Sequence, residues 1–216
     1  MPVKLISYSQ ANGQTMEETI AYCARVSNPA HQELSKNNLK LIQYLIKNKH
    51  WSPFEMVSIC LEIETTRDIA RQILRHRSFS FQEFSQRYAV ADLGFEPREA
   101  RLQDTKNRQN SIMTEDEVLK QQWEEKQQEL ISKSKEIYTW ALENGIAKEQ
   151  ARAVLPEGNT ISRMYVNGTL RSWIHYIQLR SKNGTQKEHS LIAIECAEVI
   201  QSIFPLMKDL LEESTI

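Results

Sequence analysis

Five arginines lie close together between positions 67 and 88 of the chain, with only two acidic residues among them. A guanidinium group offers a planar fork of N–H donors that suits phosphate and carboxylate oxygens. Serines, glutamines and a tyrosine follow and add more polar groups. A segment of this composition predicts a site for a ligand with phosphates and a polar ring. The charged residues are Arg67, Arg71, Arg75, Arg77 and Arg87, with Asp68 and Glu83.

The same arginines could instead form a solvated helix face with a few ion pairs, which is the commoner role of an arginine-rich helix. On the predicted helix, Gln72, Arg75 and His76 share one face at spacings of three and four. Ile69 and Ile73 lie on an adjoining face, which we expect to be buried. The spacing alone leaves both interpretations open.

A second polar cluster falls on a helix predicted from about Thr169 to Leu179. Arg171 and His175 are four residues apart and therefore share a face, and Arg180 follows at the C-terminal end. Basic side chains at this end also interact favourably with the helix dipole. This cluster therefore identifies no function by itself.

The sequence lacks the familiar catalytic motifs, namely G-x-G-x-x-G after a strand, the P-loop, H-E-x-x-H and G-x-S-x-G. Cys23, Cys60 and Cys196 are far apart and odd in number, which argues against a disulfide framework or a zinc cluster and suits a reducing cytoplasm. We expect Cys60 and Cys196 to be packing residues. Ser85 could be a nucleophile, but no base can be assigned from its spacing.

The elements that would position these residues are mostly helices, with a few strands among them, so the class is mixed α and β. Residues 91–113 show weak periodicity and are predicted to be a long connection. Strands are predicted at Val3 to Tyr8, Glu55 to Glu64, near Arg87 to Val90, and at Ile161 to Val166. Helices are predicted from Thr15 to about Val26, Leu34 to Lys49, Thr65 to Arg77, Thr114 to Asn144, Ala147 to Leu155, Thr169 to Leu179, and Thr185 to Leu211.

Three of these helices begin with the spacing of a capping box, at Thr15 and Glu18, Thr65 and Asp68, and Thr114 and Glu117. The strand from Glu55 to Glu64 alternates with period two, which predicts one buried face. The residues predicted on the buried side of the second helix are Leu39, Ile42, Leu45 and Ile46.

The chain has 216 residues, of which 40% are hydrophobic, and we expect one domain over residues 1–216. Its 27 basic and 28 acidic residues give a net charge of −1. This balance excludes a broad electrostatic grip on nucleic acid or on an acidic membrane. The sequence begins without a secretory leader, and no stretch approaches the roughly 18 apolar residues of a membrane span. We therefore expect a cytoplasmic protein.

The segment from Arg75 to Tyr88 resembles the signature of flavin-dependent thymidylate synthases, R-H-R-x-x-S-x-N-x-x-S-x-R-Y. It departs from the signature at Gln82, where the family usually has Asn. Two later stretches, Ala151 to Pro156 and Leu170 to Arg180, also resemble the family, as does His50 to Glu55 before the signature. The matching signature residues are Arg75, His76, Arg77, Ser80, Ser85, Arg87 and Tyr88.

The resemblance implies a mixed α/β (α+β) fold, helix-rich with a central sheet, in a homotetramer whose active sites are shared between subunits. It implies FAD as the cofactor, reduced by NADPH. The methylene group of methylenetetrahydrofolate passes to C5 of dUMP and is reduced to give dTMP, with no cysteine nucleophile. It implies no metal, no nucleic acid and no membrane as partners.

The resemblance also assigns roles to residues. Arg180 is the catalytic residue, since its guanidinium would meet the uracil ring and favour ionisation at N3. His175 lies where the family often has Asn. The residues implied for FAD are Ser52, Arg75, His76, Arg77, Glu83, Thr169, Leu170, Arg171 and His175. Those implied for the substrates are Gln72, Ile73, Leu74, Arg75, Glu83, Phe84, Ser85, Gln86, Arg87, Arg152 and Arg180, with His50 and Tyr88 on the folate or flavin side.

Two other classes remain as alternatives. A nucleotide- or RNA-binding module would use the arginines as a strip that follows phosphates, and its binding would collapse with salt without any bound flavin. A purely structural helical protein would leave both arginine clusters unexplained.

Overall fold

The structure is a computed structural model, which describes residues 2–11, 13–32 and 37–212. A four-stranded antiparallel sheet lies at its centre in the order β1-β2-β6-β3. A separate two-stranded hairpin is formed by β4 and β5. The strands are β1 (Val3–Tyr8), β2 (Ser58–Thr66), β3 (Phe79–Glu83), β4 (Arg101–Gln103), β5 (Ser111–Met113) and β6 (Ile161–Thr169). The predicted mixed α/β class with a central sheet is confirmed.

Helices cover the sheet and carry most of the remaining chain. They are α1 (Met16–Ala24), α2 (Asn38–Lys47), α3 (Arg67–Ile73), α4 (Glu117–Glu143), α5 (Lys148–Ala151), α6 (Leu170–Arg180), α7 (Lys187–Gln201) and α8 (Met207–Glu212). No helix in the described part of the chain is both long and apolar enough to cross a membrane.

The two central strands, β2 and β6, pair along their whole length, from Ser58 opposite Thr169 to Thr66 opposite Ile161. Alternate side chains of β2 point into the core and are fully buried, as the period-two pattern predicts. Helix α6 packs into the same core, where the indole Nε1 of Trp173 donates a hydrogen bond to the Ile59 carbonyl at 3.0 Å. The core therefore joins α6 rigidly to the middle of the sheet.

Edge strand β3 is held against β6 by an unusually close contact. Phe79 lies opposite Gly168, and a Cβ added to that glycine would meet the Phe79 ring at 2.3 Å. The ring also packs against Trp173, with centroids 4.7 Å apart. Glycine at this position lets the ring lie over the strand, and this contact fixes the start of β3.

Several predicted boundaries are confirmed. Thr15 and Glu18 form the predicted capping box, with hydrogen bonds of 3.2 and 2.8 Å. Helix α4 ends at Glu143 with Asn144 as its C-cap residue, and Gly145 follows with φ of 76°. Its N-cap is Asp116, however, rather than Thr114.

Other predictions about the elements around the arginine cluster are wrong. The Thr65 capping box is not formed, because Thr66 is the N-cap residue of α3. Helix α3 ends at Ile73 rather than Arg77. The strand lies at Phe79–Glu83, and the residues from Arg87 to Val90 form no strand. Strand β2 begins at Ser58 because Ser52–Met56 forms a 3-10 turn that contains Pro53.

Three further differences concern other segments. Residues 91–113, predicted as a long connection, contain the β4–β5 hairpin. The predicted last helix is two helices, since α7 ends at Gln201 and Pro205 lies in the break. Leu39, predicted on the buried face of α2, is 55% exposed. The predicted start of α2 at Leu34 lies outside the described residues.

Candidate active site

The three consecutive residues Arg75, His76 and Arg77 lie in a tight turn between α3 and β3. Hydrogen bonds from the His76 amide to the Ile73 carbonyl and from the Phe79 amide to the His76 carbonyl, at 3.0 and 3.3 Å, close this turn. The turn leaves both arginines exposed and half-buries the histidine. Gln72 alone of the predicted helix face is still helical, so the shared face predicted for these residues is wrong.

Helix α6 brings the second polar cluster to the same place. Thr169 caps the helix by accepting a hydrogen bond from the Ser172 amide at 3.2 Å. Trp173, Ile174 and Ile177 bury one side of α6 and leave its polar residues at the edge. The polar residues of α6 therefore face away from the core, and the packing of α6 against the sheet fixes their position.

The two clusters meet at the C-terminal end of α6. The Nε of Arg180 donates a hydrogen bond of 2.9 Å to Nε2 of His76, across 104 positions of sequence. The imidazole can accept this bond only when it is neutral. Burial, and next the charge of Arg180, lower the pKa of His76 below its ordinary value and favour that neutral form. The guanidinium of Arg180 makes no ion pair with any carboxylate of the described residues.

At the N-terminal end of α6, the turn that holds Ser52 lies close to the helix. Arg171 forms an ion pair with Glu55, and the His175 ring lies edge-on to Trp51 with centroids 5.0 Å apart. Burial, with the charge of Arg171, lowers the pKa of His175, although Glu55 opposes this effect. The predicted residues Ser52, Arg171 and His175 are therefore neighbours in space.

The end of β3 positions a carboxylate. Glu83 accepts a hydrogen bond of 2.8 Å from the buried Ser162 hydroxyl and lies 3.5 Å from Arg67. Arg71 forms an ion pair with Glu157. Arg67 and Arg71 are thus neutralised, so the cluster is not a continuous strip of free cations.

A second group of predicted residues follows β3. Arg87 lies 3.5 Å from the Glu149 carboxylate, and Arg152 donates to the Glu149 carbonyl at 3.3 Å. Glu149 therefore brings these two arginines together. Gln86 is only 3% exposed, and its Nε2 finds no hydrogen-bond partner among the described residues. A buried amide of this kind is costly unless something else accepts its hydrogens.

The burial of the remaining predicted residues determines which of their groups a ligand can contact. Ile73 and Leu170 are buried in the core, so only their backbone groups are accessible. Leu74, Phe84 and Ser85 are half-buried beside the turn. His50 is exposed beyond α2 and packs against Tyr44, and Tyr88 is 80% exposed.

Two buried residues beneath the site were not predicted from the sequence. Tyr176 and His189 are buried, and their rings pack with His76 at centroid distances of 5.0 and 6.4 Å. His189 lies three positions before Ile192, and this spacing was the only sequence signal that it faces the core. The described residues contain no group of His, Cys, Asp and Glu that could hold a metal ion.

Comparisons with known proteins show which proteins this chain is similar to in sequence. Residues 4–206 match the family described as thymidylate synthase complementing protein. A probable flavin-dependent thymidylate synthase of Paramecium bursaria Chlorella virus 1 is 50% identical over 208 residues, which cover 95% of this chain and 96% of the relative. The flavin-dependent thymidylate synthase of Synechocystis sp. is 52% identical over 196 residues, which cover 91% and 89%.

The fold also matches a solved structure. The UMP/dUMP methylase PolB of Streptomyces cacaoi, bound with 5-Br dUMP, has a TM-score of 0.83 and 25% sequence identity. The match covers 98% of this chain and 94% of that chain.

Stability should fall on acidification because of His189. Burial, with the charges of Arg180 and His76, lowers the pKa of His189 to about 3. In the unfolded chain a histidine takes up its proton near pH 6.5, so between these values the unfolded state binds more protons. Lowering the pH from 6.5 to about 5 should therefore reduce the free energy of unfolding by about 2 kcal/mol through this residue.

Urea titrations at pH 7 and pH 5 measure this loss. The His189→Asn variant should lose less stability on acidification than the wild type, while His31→Asn, which changes an exposed histidine, should behave as the wild type. An unchanged pH dependence in His189→Asn would show that the buried ring does not cause the effect.

Proposed function

The chain belongs to the family of flavin-dependent thymidylate synthases, and from this premise we propose how its own residues carry out the reaction. It forms dTMP from dUMP with FAD as cofactor. The methylene group comes from methylenetetrahydrofolate, and NADPH provides the reducing equivalents. The substrate assignments below rest on the geometry of the site together with the resemblance of the motifs.

The observation that carries the proposal is the state of Arg180. Its guanidinium is held in place by a neutral imidazole rather than by a carboxylate, so its positive charge is fixed but not cancelled. Its Nε donates to His76, and its two Nη groups have no hydrogen-bond partner among the described residues, so they are available to a ligand. A fixed cation beside uracil N3 stabilises the negative charge that develops when N3 loses its proton. This charge makes C5 nucleophilic, and Arg180 is therefore the catalytic residue.

The phosphate of dUMP needs cations that are not already neutralised. Arg75 is exposed and forms no ion pair among the described residues. Arg152 likewise forms no ion pair among the described residues, and it lies beside Arg87, whose charge is partly balanced by Glu149. The neighbouring Gln86 carries a buried amide whose Nε2 has no partner among the described residues and could donate to a bound ligand. This donor set suits a phosphorylated nucleoside, with Gln72, Glu83 and Ser85 as further contacts.

The residues at the N-terminal end of α6 fit a flavin cofactor. Ser52, Arg171 and His175 lie around a half-buried region beside Trp51. The turn that carries Arg75, His76 and Arg77 runs along α6, since the Ser78 carbonyl after it accepts a hydrogen bond of 3.2 Å from the Ser172 hydroxyl. The hydroxyl of Thr169 already caps α6, and the side chain of Leu170 is in the core, so these two residues would contribute backbone contacts. Bound FAD supplies the hydride that reduces the transferred methylene group. The protein's own residues orient the reactants, and Arg180 supplies the positive charge of the site.

The cysteines support a route without an enzyme thiolate. Cys196 is fully buried, and burial raises the pKa of its thiol far above the ordinary value. Cys60 points away from the core face of β2, and burial raises its pKa too. A protonated thiol is a poor nucleophile, so activation of C5 falls to the Arg180 charge.

The folate and NADPH would approach from the open side of the site. His50 and Tyr88 are exposed side chains that could contact them, since neither is committed to the core.

We infer a homotetramer, and helix α4 offers the surface for it. The side chains that α4 buries against its own subunit are flanked by large apolar residues that stay exposed. They recur at helical spacing, as expected of an interface with a second copy. The exposed residues are Leu119, Trp123, Leu130, Ile137 and Trp140, at 36–57% exposure.

Replacing Leu130 by Glu should dissociate the tetramer, because each copy would then bury a charge at the interface. Light scattering after size exclusion measures the molar mass. Ser132→Glu is the matched control, since Ser132 lies two residues away on the opposite, polar side of α4 and should leave the mass unchanged. A tetramer in Leu130→Glu, or a wild type that is monomeric at micromolar concentration, would contradict this assignment.

Arg180→Ala should abolish dTMP formation and leave FAD bound. Removal of one group that stabilises developing charge typically lowers turnover by about 100- to 1000-fold. The assay follows dTMP from dUMP with methylenetetrahydrofolate and NADPH, and flavin absorbance reports retention of FAD. The control is Arg163→Ala, which removes an arginine of β6 that pairs with Glu64 of β2, and this variant should keep its activity. Near-normal turnover of Arg180→Ala would remove its catalytic role, and a wild type that makes no dTMP would overturn the proposed function.

A further inference from the structure

A chain of side-chain hydrogen bonds runs beneath the site and ends on Gln72. Gln186 Nε2 lies 3.0 Å from the Glu188 carboxylate, and Gln72 Nε2 lies 2.8 Å from Gln186 Oε1. On the other side of Gln72, its Oε1 lies 3.1 Å from His189 Nδ1, and His189 Nε2 lies 3.1 Å from the Tyr176 hydroxyl. Five side chains from α3, α6, α7 and the residue before α7 are thus joined in one line.

The Glu188 carboxylate determines which group donates and which group accepts in each hydrogen bond of this series. Arg101 donates to it at 2.5 Å. Burial raises the pKa of Glu188, but the hydrogen bonds from Arg101 and Gln186 and the charge of Arg98 outweigh burial and keep the pKa below the ordinary value. An ionised carboxylate accepts hydrogen bonds and donates none, so Gln186 must turn its NH₂ towards it. The Gln186 carbonyl is therefore left for Gln72, which must donate to it.

The same logic fixes the remaining members. Since Gln72 turns its NH₂ to Gln186, its Oε1 faces His189, whose Nδ1 must carry a hydrogen and donate. Nε2 of His189 is then the acceptor, and the Tyr176 hydroxyl donates to it. Both rings are almost completely buried, at 0% and 2% exposure, which leaves no water to reverse the order. Each bond supports the next, so the amide of Gln72 is held in one of its two orientations.

This orientation decides what Gln72 can offer to a ligand. Its oxygen is occupied by His189, and one Nε2 hydrogen is occupied by Gln186. The second Nε2 hydrogen has no acceptor among the residues that the structure describes. Gln72 is half-buried at the end of α3, three residues before Arg75. It therefore presents a fixed donor at the edge of the proposed dUMP site.

We propose that His189, backed by Tyr176, is a positioning residue that holds the Gln72 amide so that an N–H meets an oxygen acceptor of dUMP. The inference rests on the proposed function, since it takes dUMP as the ligand. His189 touches neither dUMP nor FAD in this account. The hydrogen bonds of His189 reach the substrate through Gln72, whereas its bulk helps to bury His76, and an apolar replacement such as leucine removes the first effect while keeping the second.

Two substitutions at position 189 separate these roles. His189→Asn keeps an N–H donor near the place of Nδ1, whereas His189→Leu removes every donor, and both lose the acceptor for Tyr176. We expect His189→Leu to weaken dUMP binding about tenfold, the usual effect of one misplaced hydrogen bond. His189→Asn should remain within about threefold of the wild type. Binding of FAD and turnover at saturating dUMP should change little in either variant.

A double-mutant cycle with Gln72 gives the decisive comparison. The dissociation constant of dUMP is measured on the FAD-loaded enzyme for the wild type, Gln72→Ala, His189→Leu and the double variant. If His189 acts through Gln72, the double variant binds dUMP no more weakly than Gln72→Ala. Tyr138→Phe, which removes a buried hydroxyl bonded to the Ala91 amide, controls for general loss of stability and should leave dUMP affinity unchanged.

The outcomes are distinct. Equal losses in His189→Leu and His189→Asn, additive losses in the double variant, or unchanged affinity in Gln72→Ala would each overturn the inference and leave the proposed function standing. A wild type that fails to bind dUMP overturns both. If His189→Leu does not fold, Tyr176→Phe takes its place in the cycle, because it removes the donor that fixes the His189 tautomer.

Discussion

The site depends on one interaction, in which a neutral histidine holds a charged arginine. A carboxylate in the place of His76 would anchor Arg180 as well, but it would cancel the charge on which N3 ionisation of the substrate depends. The imidazole must therefore stay neutral, and burial among Tyr176, Phe79 and His189 keeps it so. The protein thus uses burial in place of a counterion, and the aromatic packing under the site serves this purpose.

The fold brings the two partners of this interaction together from distant parts of the sequence. The turn before β3 carries His76, and the last residue of α6 is Arg180. Both elements are tied to β6, since β3 pairs with it and α6 follows it directly. The Phe79 ring lies over Gly168 of β6 and packs against Trp173 of α6, so it fixes the start of β3 relative to both elements. Small shifts at this contact would therefore move the histidine relative to the arginine.

The sequence predicted the parts of the molecule that local patterns determine. The alternation of β2, the start of α6 at Thr169 and the C-cap of α4 at Asn144 are local, and they are confirmed. The end of α3 is not determined by the local sequence. Phe79 packs onto Gly168 in another strand, and this contact shortens the helix. The contact of Arg180 with His76 spans 104 positions, and no spacing rule reaches that far. His189 looked like any residue of a buried helix stripe, since its hydrogen bonds come from α3 and α6.

The most direct test of the central claim is the visible absorbance spectrum of the purified protein, recorded without oxygen before and after addition of NADPH and dUMP. We predict a flavin spectrum that bleaches, and that bleaches faster when dUMP is present, because the charged site binds nucleotide and cofactor side by side. A colourless protein that also fails to take up added FAD would contradict the account. The free arginines would then have to serve plain nucleotide or nucleic-acid binding.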